Sequence, residues 1–103
     1  MAHWSLVTYN RPSTTVRWFE PGSEILSVIE TLKSEGAITT YLKTESIDGL
    51  KQYYKICFKD VESALAITND ETFKANVEAR DKYINENGIS VLVEQFGDIE
   101  PIV

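Results

Sequence analysis

Cysteine and histidine are nearly missing from this sequence, which has one of each, Cys57 and His3. A lone cysteine cannot close an internal disulfide and fits a reducing compartment. One histidine and one cysteine cannot furnish a zinc site. The acidic pairs, Asp70-Glu71 and Asp98 with Glu100, lack the spacing of a calcium loop. No metal and no cofactor are therefore expected. The five glycines stand singly, so no phosphate-cradling loop is present. No apolar run approaches the ~20 residues needed to span a bilayer. Even Ile89 to Val93 is interrupted by Ser90. Met1-Ala2-His3-Trp4-Ser5 is not a basic segment leading into an apolar one. A soluble, cytoplasmic protein without membrane contact is expected.

What is present suits one folded unit. Residues 1–103 have the length of a single domain, and 43% hydrophobic with 11% aromatic content supplies a core. The net charge of −6 is uneven. Residues 1–59 hold seven Lys/Arg against six Asp/Glu, whereas residues 60–103 hold three against ten. Such an acidic half repels phosphate backbones, so direct nucleic-acid binding is not expected.

Turn signals cut the chain into short elements. Trp4 to Tyr9 is aromatic and β-branched and reads as a strand. Asn10-Arg11-Pro12-Ser13 is turn chemistry, and Thr14 to Phe19 then reads as the return arm of a hairpin. Pro21-Gly22-Ser23 opens a helix with Ser23 as its expected N-cap. Ile25, Leu26, Val28, Ile29 and Leu32 form its apolar stripe, and Gly36 ends it. Ile38 to Glu45 alternates Ile38, Thr40 and Leu42 against Thr39, Tyr41 and Lys43. Asp48-Gly49 supplies a turn, and Gln52 to Lys59 returns with Tyr54, Ile56 and Phe58 on one face. Asp60 caps a short helix that Thr68-Asn69-Asp70 interrupts. A longer helix follows from Glu71 to Asn87, with Phe73, Val77 and Ile84 as its stripe and Gly88 as its stop. Ile89 to Phe96 is the last strand, and Gly97 to Val103 reads as a tail.

This order gives an α+β, ferredoxin-like antiparallel sheet with helices packed on one face: hairpin, helix, hairpin, broken helix, strand. In element order, and in the broken helix between Phe58, Ala64 and Phe73, it resembles the dimeric α+β barrel proteins. That resemblance implies two copies packed sheet against sheet. It also brings in small monooxygenases and heme-degrading enzymes as possible relatives. The heme-binding members use a pocket histidine, which His3 does not match by position.

Few residues offer themselves for chemistry. His3 stands before the first strand, where fraying is common, and its expected role is that of a terminal side chain. Cys57 shares a strand face with Lys55 and Lys59, yet a free cysteine is more often a small inert hydrophobe. No catalytic residue is assigned. Trp4, Arg17, Trp18, Tyr41 and Tyr53 are the candidate interaction residues, because aromatic and arginine side chains favour interfaces. RNA-recognition domains also use sheet aromatics, but the Gly-aromatic-basic run of their motif is absent. The first functional reading is a non-enzymatic protein-interaction module, acting as a homodimer with a possible protein partner. The alternative is a small-molecule-binding or cofactor-free monooxygenase-like domain. An acidic mimic of nucleic acid is third. A filled interior would favour the first reading, and an apolar pocket the second.

Overall fold

Period-two alternation of apolar and polar side chains produces four strands, and period-3.6 stripes produce three helices. A computed structural model describes residues 1–103, in the order β1 (His3–Asn10), α1 (Ser23–Ser34), β2 (Ile38–Glu45), β3 (Lys51–Phe58), α2 (Val61–Thr68), α3 (Glu71–Asn87) and β4 (Ser90–Gly97). The strands form one antiparallel sheet in the order β2-β3-β1-β4. This is the ferredoxin-like α+β arrangement that the sequence implies.

β1 sits at the centre of the sheet. Trp4 to Asn10 pair with β3 on one side and β4 on the other. Both edges of β1 are thus taken, and no position remains for Thr14 to Phe19 as a return arm. Those residues form an irregular crossover instead. Arg11 holds the crossover in place: its Nη1 donates to the Val16 carbonyl at 2.8 Å and its Nε to the Gly49 carbonyl at 2.7 Å.

The helix boundaries follow their caps. The α1 N-cap is Gly22 rather than Ser23, which is already the first helical residue. At the other end Gly36 adopts φ 78°, and Ala37 N–H reaches back to the Leu32 carbonyl at 2.9 Å. This satisfies end carbonyls in a left-handed C-terminal turn. Asp60 and Asp70 cap α2 and α3, accepting hydrogen bonds from the backbone N–H groups of Ser63 and Phe73.

Ile25 and Ile29 of α1 bury against Ile38 and Phe58 of the sheet, and Val28, Ala64, Ile67 and Phe73 pack around them. Burying side chains of this size contributes about 1.5–3 kcal/mol each. The facing expected for β2 is corrected. A bulge between Ile38 and Thr40 shifts the register, so Tyr41 joins Ile38 on the helix side and Leu42 turns outward, 49% exposed. The C-terminal residues are also more than a tail. Pro101 is buried, and Glu100 forms a 2.8 Å ion pair with Lys55 on the sheet face away from the helices.

Candidate functional site

The helices do not close down on the sheet. No residue of α2 is buried, and α3 buries only Ile84. The space left between the layers is a cavity of about 450 Å³. Its floor is the helix-facing side of the sheet, with Val7 and Tyr9 from β1, Tyr54, Ile56 and Phe58 from β3, Tyr41 from β2 and Val93 from β4. Its roof is Ile25 and Ile29 of α1, Ala64, Leu65 and Ile67 of α2, and Phe73 and Val77 of α3. Seventeen of the twenty-four lining residues are hydrophobic, so the space suits an apolar guest with few polar contacts.

The polar lining gathers at two places along β1. At its start, His3, Ser5 and Gln95 meet. Ser5 Oγ donates to Gln95 Oε1 at 2.6 Å, and His3 Nε2 lies 2.7 Å from the same oxygen. A carbonyl oxygen only accepts, so in this arrangement His3 donates from Nε2. In the neutral ring, Nδ1 then carries the lone pair and can accept a proton. Six residues along β1, at the other place, Tyr9 and Arg80 line the cavity with Asn76.

Two further phenols, Tyr41 and Tyr54, join Tyr9 in the lining to make a group of three. The Tyr9 and Tyr54 rings meet edge to face at 5.9 Å, and Tyr41 and Tyr54 are 6.0 Å apart. Burial pushes all three phenols above their ordinary value. The Arg80 guanidinium pulls Tyr9 the other way without overcoming burial. At neutral pH they present hydroxyl donors, not phenolates.

The expected interaction residues do not form one surface. Tyr41 alone faces the cavity. Trp4 and Tyr53 lie on the opposite side of the sheet, where the Lys55 ammonium sits 5.7 Å from the Trp4 ring. Trp18 belongs to the crossover, not to a strand, and stacks under Arg11 at 4.3 Å. Arg17 is exposed beside it and offers only its carbonyl, which accepts from Tyr83 Oη at 2.6 Å. The reading of His3 is corrected as well: it is the first residue of β1, paired with Phe58, and it lines the cavity. Cys57 is buried in the sheet and is not among the lining residues. No group of three His, Cys, Asp or Glu side chains is placed to hold a metal ion. No helix is long and apolar enough to cross a membrane.

No family model matches the sequence, and no curated protein does. Solved structures do match the fold. One is a candidate antibiotic biosynthesis monooxygenase from Deinococcus radiodurans, with TM-score 0.62, 9% identity, and coverage of 98% of this chain and 96% of that one. A similarly named protein from Caulobacter crescentus CB15 gives TM-score 0.62 at 11% identity, covering 95% and 91%. A dimeric ferredoxin-like protein from an uncultured marine organism gives TM-score 0.60 at 7% identity, covering 98% of both chains. At such identities the likeness establishes the fold. Together with the cavity it overturns the first functional reading. The layers stand apart instead of meeting in a filled core, in a fold whose neighbours carry monooxygenase names, and this favours the small-molecule alternative.

Proposed function

We propose that this chain binds a small, mainly apolar molecule between its helices and its sheet, and oxygenates it without a cofactor. We propose further that it works as a homodimer of the dimeric α+β barrel type. The observation that carries this reading is the cavity itself, apolar along its length and furnished with one imidazole and three neutral phenols. The monooxygenase names of two fold neighbours support it, as does the dimeric description of the third.

Cofactor-free oxygenation asks the substrate to supply the electrons. A ring ketone with an acidic CH₂ group loses a proton to a base, the role we assign to the cavity-lining His3 through Nδ1. The resulting carbanion passes one electron to dioxygen, and the two radicals join through a new C–O bond. The peroxide so formed loses water, leaving a carbonyl where the CH₂ stood. One oxygen atom enters the product and the other leaves as water, so no external reductant is consumed. The phenols of Tyr41 and Tyr54 can donate hydrogen bonds to the substrate oxygen as negative charge develops on it.

The test has two arms. N-phenyl-1-naphthylamine, an uncharged dye that brightens in apolar surroundings, should bind the wild type with micromolar affinity. Val77→Trp, which fills the cavity from α3, should remove that binding without lowering the thermal midpoint. An oxygen electrode with a panel of activated ring ketones should then record one dioxygen taken up per ketone oxidised. His3→Ala should slow that uptake about 10²-fold or more, the usual contribution of a positioned base. Absence of dye binding would overturn the cavity reading. Binding with no oxygen uptake across the panel would overturn the oxygenase reading.

A further inference from the structure

The apolar stripe of α3 contains one charged residue. Phe73, Val77 and Ile84 face the sheet at helical spacing, and position 80 falls in the same stripe, where another apolar side chain would fit. Arg80 stands there instead. It is the only formally charged side chain lining the cavity, and no carboxylate lines it at all. This is notable in a chain of net charge −6, whose last forty-four residues contain only three basic side chains.

Arg80 is largely buried, with 16% of its side chain exposed. Placing a guanidinium among apolar walls is costly unless its N–H groups find acceptors. Part of that need is met by Asp81, whose Oδ1 accepts from Nε at 3.1 Å and from Nη2 at 2.9 Å. The other polar neighbour of Arg80 is Tyr9, whose phenol oxygen also lies within hydrogen-bond reach of the guanidinium. The one buried side-chain polar atom without a hydrogen bond is Trp18 Nε1, so the free edge of Arg80 is not sealed within the protein. Asn76, one turn earlier on the same helix, and the Tyr9 hydroxyl across the gap add further donors beside it. Such a set is built to receive oxygen atoms that bear negative charge.

We infer that the Arg80 end of the cavity is an anion-binding subsite, so the chain takes an amphiphile with an apolar ring body and one anionic terminus, such as a carboxylate or sulfonate. This inference rests on the cavity reading above and adds the charge that the ligand carries. It also sets the direction of binding: the anionic terminus lies against Arg80, and the far end of the ring body points along β1 toward His3.

Two dyes with the same ring body separate the two readings. 1-Anilinonaphthalene-8-sulfonate carries a sulfonate on the skeleton that N-phenyl-1-naphthylamine leaves uncharged. The wild type should bind the sulfonate about 10-fold or more tighter, as a charge-assisted hydrogen bond to a desolvated arginine implies. Arg80→Gln should erase that preference while leaving the uncharged dye within about 3-fold, since the apolar walls remain. Asp81→Asn, which removes the competing negative charge beside the guanidinium, should tighten the sulfonate and leave the uncharged dye unchanged. Far-ultraviolet circular dichroism on each variant checks that the fold is kept. If Arg80→Gln weakens both dyes equally, or if Asp81→Asn leaves the preference unmoved, the anion subsite is wrong and the apolar cavity stands. If the wild type binds neither dye, the cavity reading itself fails.

Discussion

Three tyrosines meet where β1, β2 and β3 face the helices, and their burial has a consequence for stability. The phenols of Tyr9, Tyr41 and Tyr54 all sit above the ordinary value of 10.0 because ionisation would place a phenolate in a poorly solvated gap. The neighbouring phenols raise Tyr54 further. The unfolded chain therefore releases these protons near pH 10 while the folded one still holds them. Where the unfolded state binds fewer protons, stability falls as pH rises. The thermal midpoint should stay level with respect to these groups below pH 9 and decline from pH 10 upward. Tyr54→Phe should soften that decline, because it removes the group held furthest above its ordinary value. Thermal melts followed by circular dichroism between pH 8 and 11 check this. Identical slopes in wild type and variant would show that Tyr54 ionises as freely in the fold as in the unfolded chain.

Capping decides how well α3 holds the cavity wall. Asp70 Oδ1 accepts the Phe73 N–H at 3.0 Å, and Phe73 is the first cavity residue of that helix. Asp70→Ala should cost about 1 kcal/mol, as N-cap losses do, read as a lower urea midpoint with an unchanged slope. Asp70→Asn or Asp70→Ser should restore most of it. The α2–α3 break at Thr68-Asn69-Asp70 that holds this cap is legible in the sequence, as are the Asp60 cap, the stripe of α1 and the stops at Gly36 and Gly88. Each is local chemistry, set by residues within a few positions of one another. The return arm at Thr14 to Phe19 was misread for a non-local reason. Its β-branched residues suit a strand, but β3 and β4 occupy both edges of β1. The bulge near Thr39 was equally invisible, and it moved Tyr41 rather than Leu42 to the inside. The candidate site was legible only in fragments. The sequence marks Tyr41 as an interaction residue, whereas the signal of Arg80 is subtler, a charged residue in phase with Phe73, Val77 and Ile84. Sequence periodicity tells which side of an element faces inward. It does not tell how far apart two inward faces stand, and that distance makes the cavity.

At the scale of the whole molecule, the helices cover only one side of the sheet. The other side carries Trp4 and Thr8 of β1, Tyr53 and Lys55 of β3, Leu42 of β2, and Leu92 and Glu94 of β4, around the buried Leu6. The C-terminal residues cross it through Glu100 and Pro101 but leave Leu42 and Leu92 49% and 55% exposed. Leucines left open at both edges of a sheet face that also carries Trp4 and Tyr53 suit a surface that is covered. A second copy offers the same surface, and a two-fold axis parallel to the sheet, lying in the plane between the two copies, would let each cover the other. Many acidic side chains of residues 60–87 belong to α2 and α3 on the far side, so they do not set the two sheets against each other. Sedimentation at micromolar concentration should therefore give about twice the 11.7 kDa of one chain. Leu92→Glu places a charge within that contact and should return the mass to one chain. Because Leu92 faces away from the cavity while Val93 lines it, the variant should still bind the uncharged dye with its affinity kept within about 3-fold. A wild type that sediments as 11.7 kDa throughout that range would leave the open sheet face to the C-terminal residues alone. A Leu92→Glu variant that stays dimeric would move the contact elsewhere on the molecule.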